Sequence, residues 1–97
     1  MFAVLYKFKV KSGQEADFGK HWADMTKEFT EVHGGLGSRL HKSDDGSLFA
    51  YAQWPNREKW EENKDIVNKA SLKLMQDCLD EPAAFIPLTI VKDLLLD

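Results

Sequence analysis

The sequence predicts an α+β sandwich with the element order β-α-β-β-α-β, an antiparallel four-stranded sheet carrying its helices on one face. Three observations predict it. Strictly alternating apolar residues open the chain, a stripe of large apolar residues at helical spacing follows, and two further alternating runs flank an Asp-Gly turn ahead of a second helical stretch.

In the first strand, residues 2–10, Phe2, Val4, Tyr6, Phe8 and Val10 fall on one side and Ala3, Leu5, Lys7 and Lys9 on the other, so one face is strongly apolar. Ser12-Gly13-Gln14-Glu15 has the spacing of a capping box, with the Ser12 hydroxyl serving the third helical N–H and Glu15 reaching back to the Ser12 amide. A helix is predicted to begin there. Phe18, Trp22, Met25, Phe29 and Val32 then share one helical stripe, and Gly34-Gly35 closes the helix.

A second strand is predicted over residues 36–42, with Ser43-Asp44-Asp45-Gly46 as the hairpin turn. In the third strand, residues 47–54, Leu48, Ala50, Ala52 and Trp54 share one face and Phe49, Tyr51 and Gln53 the other. Neither face reads as solvated, which predicts a central strand covered on both sides. Pro55 breaks it, and Asn56 is placed to cap a helix from Arg57. From Arg57 to Asp80, Trp60, Val67, Ala70, Leu74 and Cys78 follow one phase, while Ile66, Leu72, Met75 and Leu79 widen it toward all-round burial. Two helical pieces broken near residues 64–68 are predicted, and Glu81-Pro82 stops the second. The last strand, residues 85–95, holds Pro87, which lacks a ladder donor and points to an edge or a bulge. Leu94, Leu95 and Leu96 then need a cover.

The sum is the split pattern of the ferredoxin-like sandwich, one domain over residues 1–97. Its helices cover one sheet face, whereas the third strand and the apolar C-terminal edge ask for a cover on the other. A homodimer is therefore predicted. The length agrees, because a chain this short buries only roughly 60–65% of its extended surface, and a single cysteine, Cys78, permits no internal disulfide. Thirteen Lys and Arg against sixteen Asp and Glu disfavour nucleic acid as a partner, and the lack of an apolar run of about 20 residues disfavours a membrane. With no secretory leader pattern, the expected location is cytoplasmic.

Ser12 to Glu15 with Phe18 and Trp22, the run from Gly34-Gly35-Leu36-Gly37-Ser38-Arg39-Leu40-His41 to Asp45-Gly46, and Tyr51-Ala52-Gln53-Trp54-Pro55-Asn56-Arg57-Glu58-Lys59-Trp60 together resemble the antibiotic biosynthesis monooxygenase domain family. The resemblance covers roughly residues 1–65 and marks fold more than chemistry. It implies a dimeric α+β barrel, two sheets packed face to face with helices outside. It also implies oxygenation of a small aromatic or quinol-type ligand without cofactor or metal. Such chemistry needs an apolar pocket, a group to receive a C–H proton and donors to hold the enolate. Haem-degrading relatives use a helix His as iron ligand, and the matching region near Lys73 has none.

The side-chain types associated with the family's pocket, between sheet and helices, are offered here by Tyr51, Trp60, Asn63 and Arg39 as catalytic candidates, with Trp22, Trp54 and His41 as substrate-binding candidates. The expected pocket is bounded by Tyr51, Trp54, Trp60 and the first helix. Each has a simpler reading beside it. Trp22 sits on a core stripe, Trp54 and Trp60 could serve packing or a cleft rim, and Arg39 and His41 share a strand face that is either solvated or a dimer edge. The Tyr51 hydroxyl needs a partner, in a ligand or across a dimer. His21 with Asp17, Asp24 and Glu28 has a metal-like spacing but reads as an exposed charged face, His33 as a helix C-terminal cation, and Cys78 as a small buried hydrophobe. The alternative function is a barrel that binds a small molecule, or is purely structural, without catalysis.

Overall fold

A computed structural model of the chain describes residues 1–62 and 65–95. Its elements run β1 (Phe2–Phe8), α1 (Glu15–Glu31), β2 (Gly37–Lys42), β3 (Leu48–Trp54), α2 (Arg57–Glu61), α3 (Lys69–Asp77) and β4 (Ala84–Thr89). The four strands form one antiparallel sheet in the order β2-β3-β1-β4, so β3 is central and the Pro87 strand is an edge, as the patterning requires.

The alternation of β1 and β3 decides where the core sits. Phe2, Val4 and Phe8 with Leu48, Ala50 and Trp54 are buried beneath the helices, where Phe18 of α1 joins Phe8, Leu48 and Ala50, and Met25 of α1 is buried as well. The other face of the sheet carries Leu5, Phe49, Tyr51, Ile86 and Leu88, none of them fully buried, and no helix of this chain covers it. The cover expected on the second side of β3 is thus not supplied within one chain.

Several boundaries differ from expectation. Gln14, not Ser12, precedes α1, and it makes no side-chain cap, because Gly13 adopts φ +81° and a turn from Lys11 O to Gln14 N leaves Ser12 outside the helix. Glu15 instead meets Lys42 Nζ at 3.1 Å. β1 ends at Phe8 because the chain there turns to the end of α3: Lys11 N donates to Cys78 O and Asp80 N to Lys9 O, both at 2.8 Å, with a bridge between Val10 and Leu79. β4 stops at Thr89 rather than Leu95, since Thr89 pairs with Phe2 and β1 offers nothing beyond it. Residues 90–95 continue without a ladder, and Leu96 lies outside the described residues. In α3 the predicted all-round burial does not occur: Ser71 is the buried residue and Leu74 is 48% exposed.

The hairpin turn behaves as read. Gly46 takes φ +87°, and the Asp45 carboxyl is lowered to about 2 by the Ser43 hydroxyl and the Ser47 backbone N–H that donate to it. Asn56 caps α2 by accepting from Lys59 N at 2.8 Å.

The break between α2 and α3 is held by an acidic residue from α1. Glu28, expected on an exposed charged face, is 8% exposed; its Oε1 accepts from Asn68 N at 2.6 Å and its Oε2 from Val67 N at 2.9 Å. His33, expected to cap helix carbonyls, donates from Nε2 to the same Oε2 at 2.9 Å. One turn earlier, Asp24 accepts from the Ser71 hydroxyl at 3.3 Å, while Asn68 Oδ1 caps α3 through Ser71 N. A buried carboxylate without such donors would be costly. Burial by itself would raise the Glu28 carboxyl, but the N–H groups of Val67, His33 and Asn68 outweigh it and hold it below the usual range.

Because the native carboxyl is lowered, the stabilisation by this clamp is complete above the unfolded value of about 4.3 and is lost as pH falls through the native one. Glu28→Gln is expected to cost about 2 kcal/mol near neutral pH by urea unfolding. The gap between variant and parent should close as pH is taken below about 4.

Candidate functional site

Six of the seven residues singled out from sequence are among the described residues, and the sheet divides them. Arg39 faces Tyr51 across the β2–β3 ladder and His41 faces Phe49, all on the side without helices. Arg39, His41 and Tyr51 line a cleft of about 1080 Å³ that the chain after β4 also lines, through Ile90, Leu94 and Leu95. Neither Arg39 nor His41 forms an ion pair among the described residues. Lys92 adds a second basic side chain beside Arg39, and Asp93 is the one carboxylate among the described residues of the lining.

Trp60, Trp54 and Trp22 lie on the helix side. Trp22 packs against the cluster of Phe8, Phe18 and Leu48. Trp54 is 2% exposed, with its ring 6.1 Å from Phe29, and is a core residue rather than a cleft rim; its Nε1 has no hydrogen-bond partner among the described residues. Asn63 lies outside the described residues. The expected pocket bounded jointly by Tyr51, Trp54 and Trp60 does not form, because Tyr51 and Trp54 are an odd number of residues apart on one strand and must point to opposite faces.

The tyrosine that meets Trp60 is Tyr6. Its oxygen accepts from Trp60 Nε1 at 3.2 Å, linking β1 to α2 across 54 residues of sequence. Phe85 of β4 closes one side, 5.9 Å from the Trp60 ring edge-on and 6.3 Å from Tyr6, and Phe2 lies 5.6 Å from Trp60. The geometry follows from register, since Tyr6 stands opposite Ala50 and Val4 opposite Ala52, and the small alanines leave room above β3. Arg57 sits 5.7 Å over the Phe2 ring, but its guanidinium is held by Glu61 at 2.6 Å.

The electrostatics of Tyr6 are those of a neutral donor. Burial pushes its phenol up, and the Trp60 N–H only partly offsets this. With one lone pair occupied by Trp60, the O–H hydrogen finds no acceptor among the described residues and is free for a ligand oxygen. The signal for Tyr6 was present in the sequence: a tyrosine among Phe2, Val4 and Phe8 on the helix-facing side of a strand must find a partner for its hydroxyl. The Tyr51 hydroxyl has the same requirement, but Tyr6 faces the helix layer, where the requirement is stronger.

The remaining candidates are structural. Among the described residues no three His, Cys, Asp or Glu side chains are grouped to hold a metal ion, and Asp24 and Glu28 of the His21 stripe serve α3. Burial raises the Cys78 thiol, with Asp17 and Asp77 acting in the same direction, as befits a buried apolar group. Among the described residues no helix is long and apolar enough to cross a membrane.

A four-stranded β2-β3-β1-β4 sheet with helices on one face and an aromatic, hydrogen-bonded cluster between the layers defines an α+β ferredoxin-like protein. The chain belongs to the antibiotic biosynthesis monooxygenase family, whose profile it matches over residues 1–64. Among curated proteins nothing matches the sequence. Its fold is similar to that of Rv0793 from Mycobacterium tuberculosis, with a TM-score of 0.79 at 17% identity over 97% of this chain and 98% of that one. It is similar as well to SnoaB, a cofactor-independent oxygenase from Streptomyces nogalater, with a TM-score of 0.81 at 16% identity over 96% and 95%. A conserved protein from Methanosarcina mazei gives a TM-score of 0.76 at 16% identity over 90% and 89%. At these identities the likeness is one of fold.

The Tyr6–Trp60 bond should be measurable as coupling. In a double-mutant cycle of Tyr6→Phe and Trp60→Phe, unfolding free energies are expected to show about 0.5–1.5 kcal/mol of interaction, and additive effects would mean that the bond contributes nothing.

Proposed function

We propose that this chain is a cofactor-independent monooxygenase of a small aromatic or quinol-type molecule, acting at the helix-side site of Tyr6 and Trp60. The observation that carries the reading is the neutral Tyr6 phenol, its oxygen fixed by the Trp60 N–H and its own hydrogen free, among the rings of Phe2 and Phe85. A flat aromatic substrate can stack or pack edge-on against Trp60 and Phe85. Its carbonyl or enolate oxygen then takes the Tyr6 hydrogen bond, which strengthens as negative charge develops. Loss of an acidic C–H proton leaves a carbanion that reduces dioxygen directly. For an anthrone-type methylene, one oxygen atom becomes the new carbonyl and the other leaves as water with the two methylene hydrogens. Family membership and the fold shared with SnoaB support this class of reaction.

A second reading has its own observation. Among the described residues Tyr6 and Trp60 hydrogen-bond to no carboxylate or imidazole that would receive a proton, and their ring and cluster neighbours are aromatic and aliphatic. This favours a protein that holds the aromatic molecule without turning it over.

The working unit proposed is a homodimer in which a second copy covers the helix-free sheet face. Ile86 at 55% exposure, Phe49 and Tyr51 beside the cleft, and the tail with Val91 at 93% and Leu94 at 84% together leave an apolar surface that water disfavours. Arg39, His41 and Tyr51 would then lie at or near the contact between copies.

Oxygen uptake with anthrone- and hydroquinone-type compounds tests the enzyme, and Tyr6→Phe and Trp60→Ala are each expected to lower it about 10²-fold while the fold survives. A parallel Tyr51→Phe variant decides whether the cleft takes part. No uptake across the panel, with the same compounds quenching tryptophan emission, would leave the binding reading in its place. Sedimentation at micromolar concentration is expected to give a dimer, and a strictly monomeric species would overturn the proposed assembly.

A further inference from the structure

Trp60 is carried by a helix that cannot hold itself in place. α2 is five residues long, buries none of them fully and packs on β3. A helix so short has no independent stability, so its position is set by the packing of Trp60 on the sheet and by what grips the chain on either side. Before it, Asn56 ties the end of β3 to Lys59 N. After it, Val67 and Asn68 are gripped, and the grip is the Glu28 carboxylate, which takes both backbone N–H groups. That anchor is firm, since Glu28 is 8% exposed, is further bonded by His33, and meets an Asn68 that is itself the cap of α3. The bond that depends on α2 has little tolerance. At 3.2 Å the contact of Trp60 Nε1 with Tyr6 Oη is already at the long end of its range, and about 0.5 Å more would remove it.

We propose that Glu28 is a positioning residue for the Tyr6–Trp60 site, acting from α1 by fixing Val67 and Asn68 and thereby setting how α2 lies on the sheet. It rests on the reading of that pair as the ligand site, and Glu28 makes no hydrogen bond to either ring among the described residues. A purely structural clamp would affect how often the chain unfolds; a positioning residue changes the folded state itself.

The test uses the full chain labelled with nitrogen-15, in which Trp22, Trp54 and Trp60 give three indole N–H signals. Trp60→Phe assigns the Trp60 signal and Tyr6→Phe shows where it lies when the bond is gone. Glu28→Gln is expected to shift the Trp60 signal toward the Tyr6→Phe position and to speed its exchange with solvent, leaving Trp22 and Trp54 in place. His33→Gln, which leaves both backbone bonds to Glu28 intact, is expected to shift it less. A folded Glu28→Gln chain whose Trp60 signal does not move overturns the proposal, and so does an equal movement of all three indoles. If Glu28→Gln does not fold, Glu28→Asp, which keeps the charge but draws the carboxylate back, is judged by the same outcomes. The readout needs no turnover, so a displaced Trp60 signal without oxygen uptake would overturn the oxygenase reading and leave the role of Glu28 standing.

Discussion

The antiparallel register of β1 against β3 is the constraint on which the rest depends. Pairing Phe2 with Trp54 and Tyr6 with Ala50 sends Phe2, Val4, Tyr6, Phe8 and Trp54 to the helix layer, and Leu5, Phe49, Tyr51 and Gln53 to the bare face. Because side chains alternate with period two, a slip of one residue would exchange these sets. The register is strongly specified, since exchange would put Lys7 under the helices and Phe8 and Trp54 in water. It also places the two small alanines of β3, Ala50 and Ala52, under the space that Tyr6 and Trp60 share. One choice of pairing thus makes the core, the aromatic site and the uncovered surface together.

The second determinant is electrostatic. A carboxylate withdrawn from water stabilises a fold only when hydrogen-bond donors meet it, and Glu28 is met by the two backbone donors at the break between α2 and α3 and by His33. Those backbone N–H groups belong to a chain segment that neither helix satisfies. A buried acid on α1 and a pair of orphan donors on the connection each remove the other's cost. The same helix contributes Phe18 and Met25 to the core, so the connection is tied to the most deeply buried part of the molecule.

These two constraints leave an asymmetric molecule. The helix face carries the aromatic packing and its hydrogen bonds, while the opposite face presents half-exposed rings, Arg39 and His41 without an ion pair among the described residues, and a leucine-bearing tail. Small chains without disulfides commonly gain their remaining stability from a second subunit, and this asymmetry says which surface is available for it.

The element order, the central place of β3, the Asp-Gly hairpin, the Asn56 cap, the helix break and the edge position of Pro87 were all legible from residue type and spacing, because each is a local preference of a few neighbouring residues. The Ser12 box was legible but misleading, since a Gly13 turn displaces it. Of the site, the sequence by itself determined the kinds of side chain on offer and, through strand alternation, that Tyr51 and Trp54 must part company. Only the tertiary structure decided that Trp60 meets Tyr6, and that an acid on α1 reaches Val67 and Asn68, 39 and 40 residues away. The physical reason is that periodicity assigns a residue to a face, whereas a hydrogen bond between elements depends on how those faces pack.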